Sequence, residues 1–275
     1  MALVLQTNVA ALSAQKNLGV NQKSLAGSFQ KLSSGFRVTT AADDAAGLAV
    51  SESMKSQIRS YTVAERNAAD GISMAQTAEG ALGEVHGTLG RMRELAMQAS
   101  NGSLSSTDRS YLDTEFGSLK AEIGRIQDSA KFNGTKLVSN TTGTAIKFQV
   151  GLNNTASDQI SVTFGGVALT TLLATASTVS SATAALTALS NIDSAIQTVS
   201  NSRAKFGTAM NRLEVATSNI QTMRLNLSAA NSRIVDVDVA TETAAMSKNQ
   251  VLSQAGVSVL AQANQLPQLA FGLIR

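Results

Sequence analysis

Cysteine and tryptophan are absent from the 275 residues, and there is one histidine, His86, and one proline, Pro267. Without cysteine there are no disulfides, thiolate metal ligands or cysteine nucleophiles. Aromatic residues reach only 4%, although hydrophobic residues make up 43%. Alanine, serine, threonine, asparagine and glutamine fill much of what remains, and small side chains let helices approach closely along their length. The near absence of proline leaves long helices unbroken. Neither sign of charge dominates: 22 basic residues face 19 acidic ones, the net charge is +3, and the signs interleave. A nucleic-acid surface needs a basic stripe with stacking aromatics beside it, so nucleic acid is not an expected partner. No run approaches the ~20 apolar residues that span a bilayer as a helix, so membrane insertion is not expected. The first basic residue is Lys16 and the apolar residues before it are spaced, which is not the pattern of a cleaved signal peptide.

What the chain does have is a repeated step of three and four residues. One stripe runs Leu82, Val85, Leu89, Met92, Ala96, Ala99, and a second runs Leu112, Phe116, Leu119, Ile123, Ile126, Ala130. The longest runs Leu189, Ile192, Ile196, Val199, Arg203, Phe206, Met210, Leu213, Thr217, Ile220, Arg224, Leu227. An average step of about 3.5 keeps one seam facing a partner helix. A single stripe fits any amphipathic helix; three in one chain predict long helices packed side by side. Arg203, Thr217 and Arg224 weaken the last seam locally and are candidates for setting its register.

Asp43 or Asp44 is expected to cap a helix running to Ala99, because a carboxylate there accepts the free amides of the first turn. At ~1.5 Å per residue that helix would be about 85 Å long. Asn101-Gly102 ends it, Ser106 or Thr107 caps the next helix, and Phe132-Asn133-Gly134 ends that one. Between Lys136 and Asp193 only Lys147 and Asp158 carry charge. There Ile146, Phe148 and Val150 alternate with polar residues, as do Ile160, Val162 and Phe164, which predicts a short β-hairpin. A small polar loop over residues 165–180 leads into the long C-terminal helix.

The ends differ from the middle. Residues 1–42 hold four basic residues and no acid, and residues 243–275 hold only Lys248 and Arg275 as charges. Leu18, Leu25, Phe29, Leu32 and Phe36 at one end, and Leu252, Ala255, Val259, Leu266 and Leu269 at the other, are spaced as on helices. An isolated helix of this kind is marginal in water, so the two stripes need each other or a neighbouring molecule. That makes these residues the candidates for self-assembly.

An ordered set of blocks resembles the flagellin family. At the front are Lys31-Leu32-Ser33-Ser34-Gly35-Phe36-Arg37, Ala42-Asp43-Asp44-Ala45-Ala46-Gly47, Arg66-Asn67-Ala68-Ala69-Asp70-Gly71-Ile72-Ser73, Glu79-Gly80-Ala81-Leu82 and the block from Leu89 to Gln98. Lys131-Phe132-Asn133-Gly134 follows, and at the far end come Asn211-Arg212-Leu213, Ser232-Arg233-Ile234, Met246-Ser247-Lys248 and the run from Gln254 to Gln265. The resemblance covers about residues 1–140 and 190–275.

With the periodicity, it implies a mainly α fold: a long coiled-coil-like helical rod drawn from both chain ends, with a small central β-hairpin. Residues 1–42 and 231–275 would form an inner, channel-lining helical domain. Residues 43–140 and 181–230 would form the rod, and 141–180 a short hairpin and loop, with no separate outer domains. The function so implied is that of a structural subunit polymerising into the bacterial flagellar filament, outside the cell, after export unfolded by the flagellar type III route. Its implied partners are copies of itself, an export chaperone on the C-terminal segment, and the filament cap and junction proteins. In flagellins recognised by the Toll-like receptor for flagellin, an arginine, a leucine and a glutamate make contact, and the matching positions are Arg91, Leu95 and Glu115; subunit packing alone is the other reading of these three. Rival readings of the whole chain are a hook–filament junction protein of the same superfamily and a soluble coiled-coil adaptor.

An enzyme finds little support. Asp43 and Asp44 are neighbours that do not converge on one point in a helix, and His86 stands in a helical stretch with no ligand partner in view. The methionines fall mostly in helical segments as gap-fillers. The glycines at 80, 83, 87 and 90 lack the preceding strand and following Gly-Lys-Ser/Thr of a phosphate loop. No catalytic, metal or cofactor residue is expected.

Overall fold

The computed structural model describes residues 7–139, 143–169 and 178–272, with residues 266–272 described by their backbone alone. Helix α1 spans Val9–Ser34, capped by the Asn8 side chain, which accepts the Ala11 N–H at 3.1 Å. Gly35 ends it at φ 73°, a left-handed conformation that a side chain disfavours, and its N–H returns to the Lys31 carbonyl at 2.9 Å. Helix α2 spans Ala45–Ala99 and α3 Ser106–Ser129. Strands β1 (Lys131–Phe132) and β2 (Thr135–Lys136) form a minimal hairpin, followed by β3 (Thr144–Gln149) and β4 (Gln159–Phe164). Helix α4 spans Ala182–Val235 and α5 Val239–Gly272.

The chain ends of these elements follow from specific side chains. Of the two aspartates before α2, Asp44 is the cap: its Oδ1 accepts the Gly47 N–H at 2.8 Å. Helix α3 is capped one residue earlier than expected, by Ser105 and not by Ser106 or Thr107. Only Ser105 has an acid three residues on, so its hydroxyl accepts the Asp108 N–H while the Asp108 carboxylate accepts the Ser105 N–H. Asn133 (φ 46°) and Gly134 (φ 81°) form the two-residue turn between β1 and β2, where both positions need a positive φ. The expected central hairpin is present, antiparallel, with Ile146 opposite Val162 and Phe148 opposite Ile160. Phe148, Ile160, Val162 and Phe164 face inward from it. The middle of the expected 165–180 loop, residues 170–177, lies outside the described residues.

Two compact units result, and each draws on both halves of the chain: residues 57–225, and residues 1–56 with 226–275. In the first, all six members of the Leu82–Ala99 stripe are fully buried. They share one core with Phe116 and Ile123 of α3, the inner face of the β3–β4 hairpin, and Ile192, Val199, Phe206 and Leu213 of α4. Phe164 stacks on Phe206 with ring centroids 5.4 Å apart. The polar members of the α4 seam are each satisfied. Arg203 donates Nε and Nη2 to Glu79 Oε1 of α2 at 3.0 and 2.6 Å, and Arg224 Nη1 donates to Glu65 at 2.7 Å. Thr217 Oγ1 donates to the Leu213 carbonyl in its own helix. With Arg93 on Asp193 at 2.7 Å, three α2–α4 ion pairs hold one register of a seam whose apolar members alone tolerate slippage by a heptad.

Asp43, the aspartate that does not cap, closes the turn before α2. Its Oδ2 accepts the backbone N–H and the hydroxyl of both Thr39 and Thr40 at 2.9 to 3.2 Å. Those bonds, the Thr40 backbone N–H first, hold its pKa down from 3.8 to about 2. Because the folded value is depressed, the turn's stabilisation is present above pH 3.8 and is lost as pH falls through about 2. Carboxyl-detected NMR should therefore place Asp43 well below ordinary aspartates, and Asp43→Asn should remove part of the melting-temperature loss across that acid window. Titration of Asp43 at 3.8 would contradict the turn.

Candidate assembly surface

The unit built from the chain ends pairs α1 with α5. The fit is close where small residues permit it: a Cβ on Gly256 would stand 3.3 Å from Leu18 Cδ1, and Asn8 Nδ2 donates to the Ala263 carbonyl at 2.7 Å. At the other end of α1, the residues after Gly35 meet those leaving α4 in a single antiparallel bridge between Phe36 and Asp236. The Arg37 N–H donates to the Val235 carbonyl at 2.6 Å and the Val237 N–H to the Gly35 carbonyl at 3.0 Å. The Arg37 guanidinium reaches the Ile234 carbonyl, Lys55 lies 5.7 Å over the Phe36 ring, and Val38 and Val235 are buried there. No local pattern in the sequence marks this clasp, since it joins single residues 200 positions apart.

The predicted assembly residues whose side chains are described divide into two groups. Leu18, Leu25 and Leu32 are half-buried on α1. Phe29 and Phe36 on or beside α1, and Leu252 and Val259 on α5, are exposed. Leu266 and Leu269 lie on the α5 backbone, with side chains outside the described residues. The sequence reading missed further exposed apolar positions: Val9, Leu12 and Val20 on α1, and Val239, Val251 and Val257 on α5. The period picks out one stripe per helix, whereas these residues lie on faces that pairing α1 with α5 leaves in water. Val9, Leu12, Val20 and Phe29 are each more than half exposed, as are Val251 at 64% and Val259 at 52%. Scattered apolar residues are ordinary on a surface, but a concentration on two paired helices makes these faces a candidate interaction surface.

In the other unit, Arg91 of α2 forms ion pairs with Glu115 of α3 at 2.9 Å and Glu94 at 3.0 Å, all three accessible. The bond to Glu115, then that to Glu94, raises the Arg91 pKa. Leu95 is 1% exposed and belongs to the core beneath them. Among the described residues no group of three His, Asp or Glu converges as metal ligands, and no helix is long and apolar enough to cross a membrane.

Residues 5–143 match the model of the bacterial flagellin N-terminal helical region, and residues 189–274 match that of the bacterial flagellin C-terminal helical region. The chain belongs to the flagellin family. Flagellin from Halalkalibacterium halodurans is 42% identical over 273 residues, covering 99% of this chain and 100% of that protein. Flagellin from Bacillus subtilis is 42% identical over 301 residues, covering 98% of each. A crystal structure of Bacillus cereus flagellin superposes with a TM-score of 0.51 at 34% identity, over 60% of this chain and 94% of that one. The segment between the two family matches contains β3 and β4, where the composition changes. Flagellins are structural proteins, so this chain is not an enzyme.

Proposed function

We propose that this flagellin is the structural subunit of a bacterial flagellar filament, polymerising outside the cell through the apolar faces of α1 and α5. The observation that carries the reading is the row of aliphatic and aromatic side chains that the α1–α5 pair leaves in water. Burying such surface is worth roughly 25 cal/mol per Å². Contacts between copies related by a rotation that does not close build an open helical tube. A two-helix unit with most of its apolar surface uncovered is marginal by itself, which fits export of the unfolded chain through the flagellar type III apparatus. A chaperone on α5 and adjoining residues would cover the same face before export, and the cap and junction proteins would meet it at the two ends of the polymer.

Recognition by the Toll-like receptor for flagellin would fall on Arg91 and Glu115, which the ion pair presents together; Leu95, expected as a third contact, is 1% exposed and offers no surface there because α2 packs it into the core. Subunit packing is the alternative role for these three.

A chain lacking residues 243–275 keeps every member of the 57–225 core but loses most of α5. It should remain monomeric under salting-out and seeding conditions in which the full chain forms tubes with a central channel by electron microscopy. Tubes from the truncated chain would exclude α5 as the assembly element, and monomers from both would favour a soluble adaptor.

A further inference from the structure

The sequence contains two Asn-Gly pairs, Asn101-Gly102 and Asn133-Gly134. Both are exposed and both mark turns, yet the structure treats their peptide groups differently. At Asn101 the backbone carbonyl accepts Nη2 of Arg109 at 2.7 Å, while Arg109 Nε holds the Ala99 carbonyl at 2.9 Å. The side-chain carbonyl, Asn101 Oδ1, accepts the Ser103 N–H at 3.2 Å. The Gly102 N–H has no acceptor among the described residues, and Gly102 lies in open space. At Asn133 no cation touches the backbone carbonyl and no donor touches the side chain among the described residues.

These contacts bear on one reaction. An asparagine followed by glycine deamidates when the glycine nitrogen loses its proton to hydroxide and attacks the side-chain Cγ. The new N–Cγ bond closes a succinimide ring, the Cγ–Nδ2 bond breaks, and ammonia leaves. Water then opens the ring at either carbonyl to give aspartate or isoaspartate, so one water is consumed for each ammonia released. The negative charge of the deprotonated amide is shared with the oxygen of the same peptide group, which is Asn101 O, the atom that Arg109 holds. A charge-assisted hydrogen bond at that atom favours the reactive anion. The oxygen that gains charge as the ring closes is Asn101 Oδ1, which already faces a backbone N–H, an arrangement that stabilises developing oxyanions. Glycine offers no side chain to block the approach.

We propose that Asn101-Gly102 is a self-modifying site, converting Asn101 to aspartate or isoaspartate faster than the same dipeptide at Asn133-Gly134 because Arg109 and the Ser103 N–H polarise the two reacting groups. The reaction needs only water, and it holds whether or not the chain polymerises. It places a new negative charge beside Arg109 and, as isoaspartate, an extra backbone atom in the α2–α3 connection, so an unreplaced extracellular subunit would carry it as a record of age.

The test is timed incubation of the soluble full-length chain at mildly alkaline pH, followed by tryptic mapping. The peptides 94–109 and 132–136 report the two sites separately, and in the Arg109→Gln chain, which lacks the cleavage site at 109, the first becomes 94–120. Asn101 should convert faster than Asn133 in the folded chain, and the two rates should converge when the chain is unfolded in urea. Arg109→Gln, which keeps a donor but removes the charge, should slow Asn101 roughly three- to tenfold, the size of one charge-assisted hydrogen bond exchanged for a neutral one, and leave Asn133 unchanged. Equal rates in the folded chain, or a rate ratio that survives unfolding, would overturn the proposal. So would an Asn101 rate that is unchanged or raised in a folded Arg109→Gln chain, which is what simple loop mobility predicts.

Discussion

Replacing Phe29 and Val259 together by aspartate is expected to abolish polymerisation while leaving the helical content of the chain almost unchanged. Phe29 is 56% exposed and Val259 52% exposed, so each has about half of its side chain still to bury. Covering that remainder contributes about 1 kcal/mol per residue, judged from the 1.5–3 kcal/mol for burying a large apolar side chain fully. An aspartate in its place loses that contribution and also brings an unpaired charge into an apolar contact, which costs several kcal/mol more. The concentration needed for growth should rise by at least about a hundredfold, since every 1.4 kcal/mol is tenfold. Seeded turbidity and sedimentation measure this, with circular dichroism as the check on folding. The contrast is Leu25→Asp: Leu25 is more deeply covered on α1 than Phe29 or Val259 is on its helix, so that variant should lose helix in the monomer as well. If the Phe29 and Val259 double variant grew from seeds at the wild-type rate, these faces would not be the contact.

The second large effect belongs to the core of residues 57–225. Leu89→Ala removes a fully buried side chain from the C-terminal half of α2. It should cost 2–5 kcal/mol, because the cavity adds to the lost transfer energy. Glu79→Gln, directed at the ion pair with Arg203, should cost no more than about 1 kcal/mol, since both side chains are more than a third exposed. Urea unfolding of the two single variants gives the comparison. A larger loss from Glu79→Gln than from Leu89→Ala would mean that charge, and not packing, dominates the helix seam.

How much of this was readable beforehand depended on the range of each interaction. The stripes from Leu82 and Leu112 and the hairpin alternation from Ile146 and Ile160 record a side chain's burial in its local spacing, and those elements were legible. Arg203 and Arg224 stood out as breaks in a stripe, and the structure supplies Glu79 and Glu65 as their partners. Leu95 was harder. It falls outside the narrow stripe, but α2 contacts both α3 and α4 and therefore buries a wider face than a two-helix seam does. Gln127 reads as a surface residue by type, yet it is 4% exposed because its Nε2 reaches the Val167 carbonyl, 40 residues away. Nothing near Gln127 in sequence announces that carbonyl. The clasp at Phe36 and Asp236 was illegible for the same reason. For the proposed assembly surface, the two helices that would carry it stand out by their low charge and apolar spacing. Which side of each helix stays uncovered required the α1–α5 pairing itself.

Hydrogen exchange on the full-length chain, before and after seeded growth, tests the central claim that the chain ends are completed by neighbouring copies. The account predicts that α1 and α5 amides exchange much faster than the buried α2–α4 amides in the monomer, and become strongly protected in the polymer while the α2–α4 amides change little. If α1 and α5 were already as protected in the monomer as the α2–α4 core, and unchanged by growth, the ends would be complete in the single chain and the account would be contradicted.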